Sequence, residues 1–156
     1  MPNAIDEMVE ECRTGKSLRT VYRLKSGWVV LGETQILPGY CLLLPDPVVA
    51  NLNELRAEAR ADFLKDMARV GDAILSITDA VRINYEILGN LEPALHAHII
   101  PRYADEDEEL ATKPIWFYDW EEARKFDAEV DSDFVGQLRD AIQLIIDLES
   151  KSQTTV

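Results

Sequence analysis

The run at residues 94–100, Ala-Leu-His-Ala-His-Ile-Ile, limits the folding of this chain more than any other stretch. It has strand length, its residues alternate in kind, and it holds both histidines of the protein. Side chains alternate faces along a strand, so Ala94, His96 and His98 share one face while Leu95, Ala97 and Ile99 take the other. The second face is wholly apolar and needs a core packed against it. The two histidine positions stand about 6.6 Å apart at a rise of roughly 3.3 Å per residue. Both rings therefore reach one small anionic group such as a phosphate. Pro101 has no N–H for a ladder and is expected to end the strand.

The rest of the chain supplies partners for such a strand. Residues 4–14 set Ile5, Met8 and Val9 among acids ahead of Gly15, which predicts a short helix with a glycine stop. Residues 20–24 and 27–32 are β-rich runs around a Lys25-Ser26-Gly27 turn, a hairpin. Residues 40–45 are apolar on both faces, as in a central strand. From Asn51 to Asp79 apolar residues recur at Leu52, Leu55, Ala59, Phe63, Met67, Val70, Ile74 and Ile77. That is the stripe of one long helix, with Asn51 or Asn53 as its cap. Residues 81–88 predict a strand stopped by Gly89, and Phe134, Val135, Leu138, Ile142, Ile145 and Leu148 a C-terminal helix. This order predicts an α+β fold on an antiparallel sheet. One domain is expected over residues 1–150, with 151–156 a frayed tail.

The formal charge of −13 provides no basic field for nucleic acid or an anionic membrane, so neither is an expected partner. No apolar run approaches the length of a membrane span, and the acidic N-terminus is unlike a secretory signal. Cys12 and Cys41 form no Cys-x-x-Cys pair and suit two free thiols in a cytoplasmic protein. The charge is uneven. Residues 12–32 contain no acid but hold Arg13, Lys16, Arg19, Arg23 and Lys25, either a solvated face or an anion site. The acids gather most densely at residues 105–109. The aromatic segment 114–120 reads as a lid or packing element over the sheet; for Trp116 and Tyr118, packing is the better reading than binding.

The segment 94–102, Ala-Leu-His-Ala-His-Ile-Ile-Pro-Arg, resembles the signature of the histidine triad (HIT) superfamily, His-φ-His-φ-His-φ-φ with φ apolar, often followed by Pro-Arg. Ala94 stands where the first histidine would be. Pro38-Gly39 before a buried strand ending at Pro45, then a long helix, is similar to the same family, and the resemblance covers residues 20–103. The family usually has a basic residue or histidine after Pro-Gly, where this chain has Tyr40. It often has Asn or Asp on the preceding strand to hold ribose hydroxyls; here Gly32, Glu33 and Gln35 stand nearby.

The resemblance implies a five-stranded antiparallel sheet and a homodimer, often joined into a ten-stranded sheet. It also implies nucleotide hydrolase or transferase chemistry. His96 would be the nucleophile toward the α-phosphorus of a nucleoside phosphate derivative, such as a dinucleoside polyphosphate or phosphoramidate. A nucleotidyl-histidine intermediate would form and water would release the monophosphate. His98 would donate to a phosphoryl oxygen or assist the leaving group. Gly89 and Asn90 would contact the phosphate, with Asn84 and Arg102 as weaker substrate-binding candidates. No cofactor is implied. Three other readings of the pair stay open: inert core histidines, a His-x-His metal site needing a third ligand, and a nucleotide-binding protein that turns over weakly because Ala94 cannot orient its neighbour.

Overall fold

The computed structural model describes residues 2–153. Five strands form one antiparallel sheet in the order β1-β2-β3-β5-β4: β1 Thr20–Arg23, β2 Gly27–Leu31, β3 Cys41–Pro45, β4 Arg82–Glu86 and β5 Ala97–Arg102. Helices α1 Ala4–Arg13, α2 Ala57–Ile77 and α3 Ala128–Gln153 complete the α+β fold.

The helices divide between the faces. Against one face, α2 and α3 bury Phe63, Val70, Ile74, Leu138 and Ile142 on Val21, Leu31, Leu43, Leu95, Ala97 and Ile99. On the other, α1 and the aromatic segment bring Ile5, Val9 and Ile115 onto Val30, Leu42, Leu44, Ala94 and Ile100. The alternation expected for residues 94–100 therefore sorts them between two cores. The inner strands approach closely: a Cβ on Gly27 would meet the Leu44 carbonyl oxygen at 1.8 Å.

Four expectations are corrected. The strand begins at Ala97, so Ala94, Leu95 and His96 keep the alternation outside the ladder. It also runs through Pro101 to Arg102, because β3 accompanies β5 only as far as Cys41↔Ile99. Beyond that point β5 has one neighbour, and a strand open on one side accepts proline. The long helix of residues 51–79 is in fact two pieces. The Asn51 side chain accepts from the Asn53 and Glu54 N–H groups and closes a 3₁₀ turn, Leu52–Glu54. Arg60 then holds the break by donating to the Asn53 and Leu55 carbonyls, and α2 starts at Ala57 without a side-chain cap. Lastly, α3 begins earlier and ends later than its apolar stripe. The Asp127 carboxylate accepts from the Glu129 and Val130 N–H groups at its start, and residues 151–153 of the expected tail are helical. Residues 154–156 of that tail lie outside the described residues.

Candidate active site

His96 just before β5 and His98 at its start lie side by side, their ring centroids 4.9 Å apart and steeply tilted at 72°. Both are at least nine-tenths buried. His96 Nδ1 is 2.8 Å from the Ala94 carbonyl oxygen. A carbonyl only accepts, so Nδ1 is the protonated nitrogen and neutral His96 keeps a lone pair on Nε2. Ala94 thus orients its neighbour through its backbone, a service that its methyl side chain cannot give.

His98 leans on a different partner. Its Nδ1 is 2.7 Å from the Tyr40 hydroxyl, which the Pro38-Gly39 turn delivers from the edge of β3. Gly39 adopts φ 93°, a conformation natural to glycine. Burial, and after it the neighbouring His96, pushes His98 down to about 4. Burial likewise raises the Tyr40 phenol above its ordinary range. Neither Nε2 has a partner among the described residues. The sealed side-chain atoms left unpaired there are Ser26 Oγ and Arg60 Nε, so both histidine Nε2 atoms open outward.

They open into a pocket of about 360 Å³. The loop residues Leu88, Gly89, Asn90, Leu91 and Glu92 line it together with His96, His98 and Trp116. Trp116 crosses the His98 ring edge-on at 5.0 Å and stacks on Trp120 at 5.1 Å. Its indole N–H donates to Glu86, the β4 residue paired with His98. The Asn90 amide has no hydrogen-bond partner among the described residues and is free to meet a ligand.

Of the residues singled out in the sequence, His96, His98, Gly89 and Asn90 come together here. Asn84 and Arg102 do not. Arg102 is buried and fully committed: it pairs with Glu106, donates to Asn84 Oδ1 at 2.9 Å, and reaches the carbonyls of Leu110, Ala111 and Lys113. One acid of the 105–109 cluster is therefore an internal anchor. Burial pushes the Glu106 carboxyl up, but bonds from Arg102, Tyr118 and the Tyr103 N–H outweigh it and hold the group below the usual range.

The basic stretch does not form an anion site at the histidines. Arg13 and Arg23 pair with Asp46, Lys25 with Asp62, and Arg19 donates to the Leu31 carbonyl. Gln35 is consumed in holding the Pro38-Gly39 turn, bonding Gly32 O, Tyr40 O and Gly39 N. Gly32 lies under the Tyr40 ring, 3.0 Å from where its Cβ would be. Neither of these two residues is free to take ribose hydroxyls. Among the described residues no three His, Cys, Asp or Glu side chains converge as metal ligands. No described helix is long and apolar enough to cross a membrane.

The sequence did not single out Leu88, Leu91, Glu92 or Glu86, and it favoured packing for Trp116. Trp116 does both, since it is 42% exposed and still stacked. Leu91 is 93% exposed in the loop ahead of the histidines and forms an apolar rim that no periodic pattern in the sequence marks.

A family model for the HIT domain matches residues 15–105, more than half of the chain. The fold agrees. The chain is similar to a histidine triad protein from Bradyrhizobium japonicum, at 27% identity and a TM-score of 0.69, covering 83% of this chain and 94% of that one. A HIT protein from Sinorhizobium meliloti matches at 21% identity and a TM-score of 0.70, over 89% of this chain and 96% of the other. A hypothetical histidine triad nucleotide-binding protein from Sulfolobus tokodaii matches at 18% identity and a TM-score of 0.69, over 89% and 93%. A comparison with curated protein sequences finds no match. The chain belongs to the HIT family.

Proposed function

We propose that the chain is a HIT-type nucleotide hydrolase or transferase that works through a nucleotidyl intermediate on His96. One observation carries the reading. The Ala94 carbonyl holds His96 Nδ1–H at 2.8 Å, so that the unprotonated Nε2 faces the pocket beside His98. A neutral imidazole is a competent nucleophile near pH 7. Its Nε2 attacks the α-phosphorus. The bond to the leaving group breaks with its electron pair, and the leaving group takes a proton from solvent. Water then adds to phosphorus, the P–N pair returns to Nε2, and the proton of that water is released. His98, Asn90 and the Gly89 backbone meet the phosphoryl oxygens, where charge grows in the transition state. Leu88, Leu91 and Trp116 take the apolar part of the substrate.

In this reading the protein acts on a small nucleotide in the cytoplasm as a homodimer. A second reading has its own support. Among the described residues no lysine or arginine lines the pocket, and Glu92 does. A nucleotide-binding protein with weak turnover fits that wall.

The test is release of nucleoside monophosphate from a phosphoramidate and a dinucleoside polyphosphate, with chelator present, by wild type and His96→Ala. Turnover that resists chelator and vanishes in the variant supports the nucleophile. Nucleotide binding without turnover in wild type supports the second reading. Turnover that survives His96→Ala contradicts the first.

A further inference from the structure

We propose that Tyr40 is a positioning residue that fixes His98 in the tautomer whose Nε2 carries the proton, so that His98 meets the substrate as a neutral hydrogen-bond donor. The mechanistic half of this rests on the reading of His96 as nucleophile; the tautomer does not.

Oxygen and nitrogen lie 2.7 Å apart in a contact between two buried side chains. Either group could donate in isolation, but the surroundings choose. Among the described residues the Tyr40 hydroxyl has no other partner. Were Nδ1 the donor, the tyrosine proton would be left in a 5% exposed residue with no acceptor. An unmet buried donor is a costly arrangement. With Tyr40 donating, Nδ1 accepts and the His98 proton sits on Nε2, which opens into the pocket.

The phenol is held for this task. The Tyr40 N–H donates to the Leu37 carbonyl, and its own carbonyl accepts from the Gly32 N–H and the Gln35 amide. Its ring lies over Gly32, where no side chain intervenes, and meets Trp120 edge-on at 5.9 Å. The two histidines, identical in kind and on one face, are thus made opposites. A carbonyl forces His96 to present a lone pair; a hydroxyl forces His98 to present a proton.

The titratable groups facing His98 are His96 just before β5, Tyr40 before β3, and Glu86 on β4, whose carboxylate is bound to the Trp116 indole. His96 opposes a charge on His98, whereas a carboxylate favours one. Burial sets the balance, with His98 down at about 4. A neutral Nε2–H strengthens its bond as negative charge grows on phosphoryl oxygen and does not surrender its proton. The leaving group then takes its proton from solvent, and turnover slows as leaving-group basicity rises.

The tautomer is read directly by long-range ¹H–¹⁵N correlation on ¹⁵N-histidine protein, with no substrate, for wild type and Tyr40→Phe. The expected result is a pyridine-type Nδ1 and a pyrrole-type Nε2 at His98 in wild type, and a mixture of tautomers in the variant. A protonated Nδ1 in wild type, or an unchanged tautomer in Tyr40→Phe, overturns the assignment. If the variant does not fold, the wild-type spectrum alone decides. In turnover, Tyr40→Phe is expected to lower kcat about 10–100-fold, the scale on which metal-bound histidines suffer from losing an orienting partner, with KM little changed. An equal loss through KM alone would overturn the positioning role. A wild type with the stated tautomers and no turnover supports the Tyr40 assignment while refuting the nucleotidyl-transfer reading.

Discussion

Residue by residue, the site is a problem of which nitrogen holds a proton. Ala94 and Tyr40 solve it through a backbone carbonyl and a phenol. His98 is expected to titrate near pH 4 and to stay neutral from pH 5 to 8, which its ring C–H shifts in NMR would follow. The sign is set by burial. Its folded value lies below the ordinary 6.5, so its contribution to stability is complete above about 6.5 and is lost as pH falls toward 4. A His98 midpoint near 6.5 in the folded protein would contradict the burial described here. The histidine pair was legible because its residue types and spacing suffice to mark it. The role of Tyr40 was not, since its partner lies 58 positions away and only the turn at Gly39 brings them together.

At the scale of elements, the strands and helix faces were readable and their ends were not. Period-two and period-3.6 patterns depend on burial, which the sequence reports directly. Ends depend on local competition. Asn51 captured two N–H groups for a 3₁₀ turn, and Pro101 continued a strand because β3 had already turned away. Arg102 is a weaker substrate candidate in the sequence, where pairing with the acidic loop after it is the plainer reading, and its guanidinium pairs with Glu106 of that loop. It ties β5 to residues 106–118 through Glu106 and three carbonyls. Arg102→Ala leaves Glu106 without its buried partner and is expected to cost about 3–5 kcal/mol in denaturant unfolding. Binding at the pocket should be little affected in variant protein that remains folded. A stability loss too small to measure together with a large rise in KM would restore Arg102 to the substrate.

Over the whole molecule, a charge of −13 surrounds a pocket that, among the described residues, has no lysine or arginine in its lining. An anionic substrate therefore approaches against a repulsive field. Salt screens such a field beyond about 10 Å at 0.1 M ionic strength. Added sodium chloride is expected to raise kcat/KM for a dinucleoside polyphosphate, and to raise it less for a phosphoramidate of lower charge. A fall in kcat/KM with salt for both substrates would mean that a cationic surface steers them after all. The division of the sheet makes the site what it is. Two helices fill one face completely, while α1 and the aromatic segment cover the other except where the loop at residues 88–92 leaves both Nε2 atoms open.

The most direct test of the account is a search for the covalent intermediate. Wild type mixed with a nucleoside phosphoramidate and quenched at alkaline pH, where phosphorus–nitrogen bonds to histidine persist, would be mapped by peptide mass spectrometry. The account predicts one nucleotidyl group on His96 and none on the same peptide of His96→Ala. A nucleotidyl group on another residue, or product formed at the wild-type rate by His96→Ala, would contradict it.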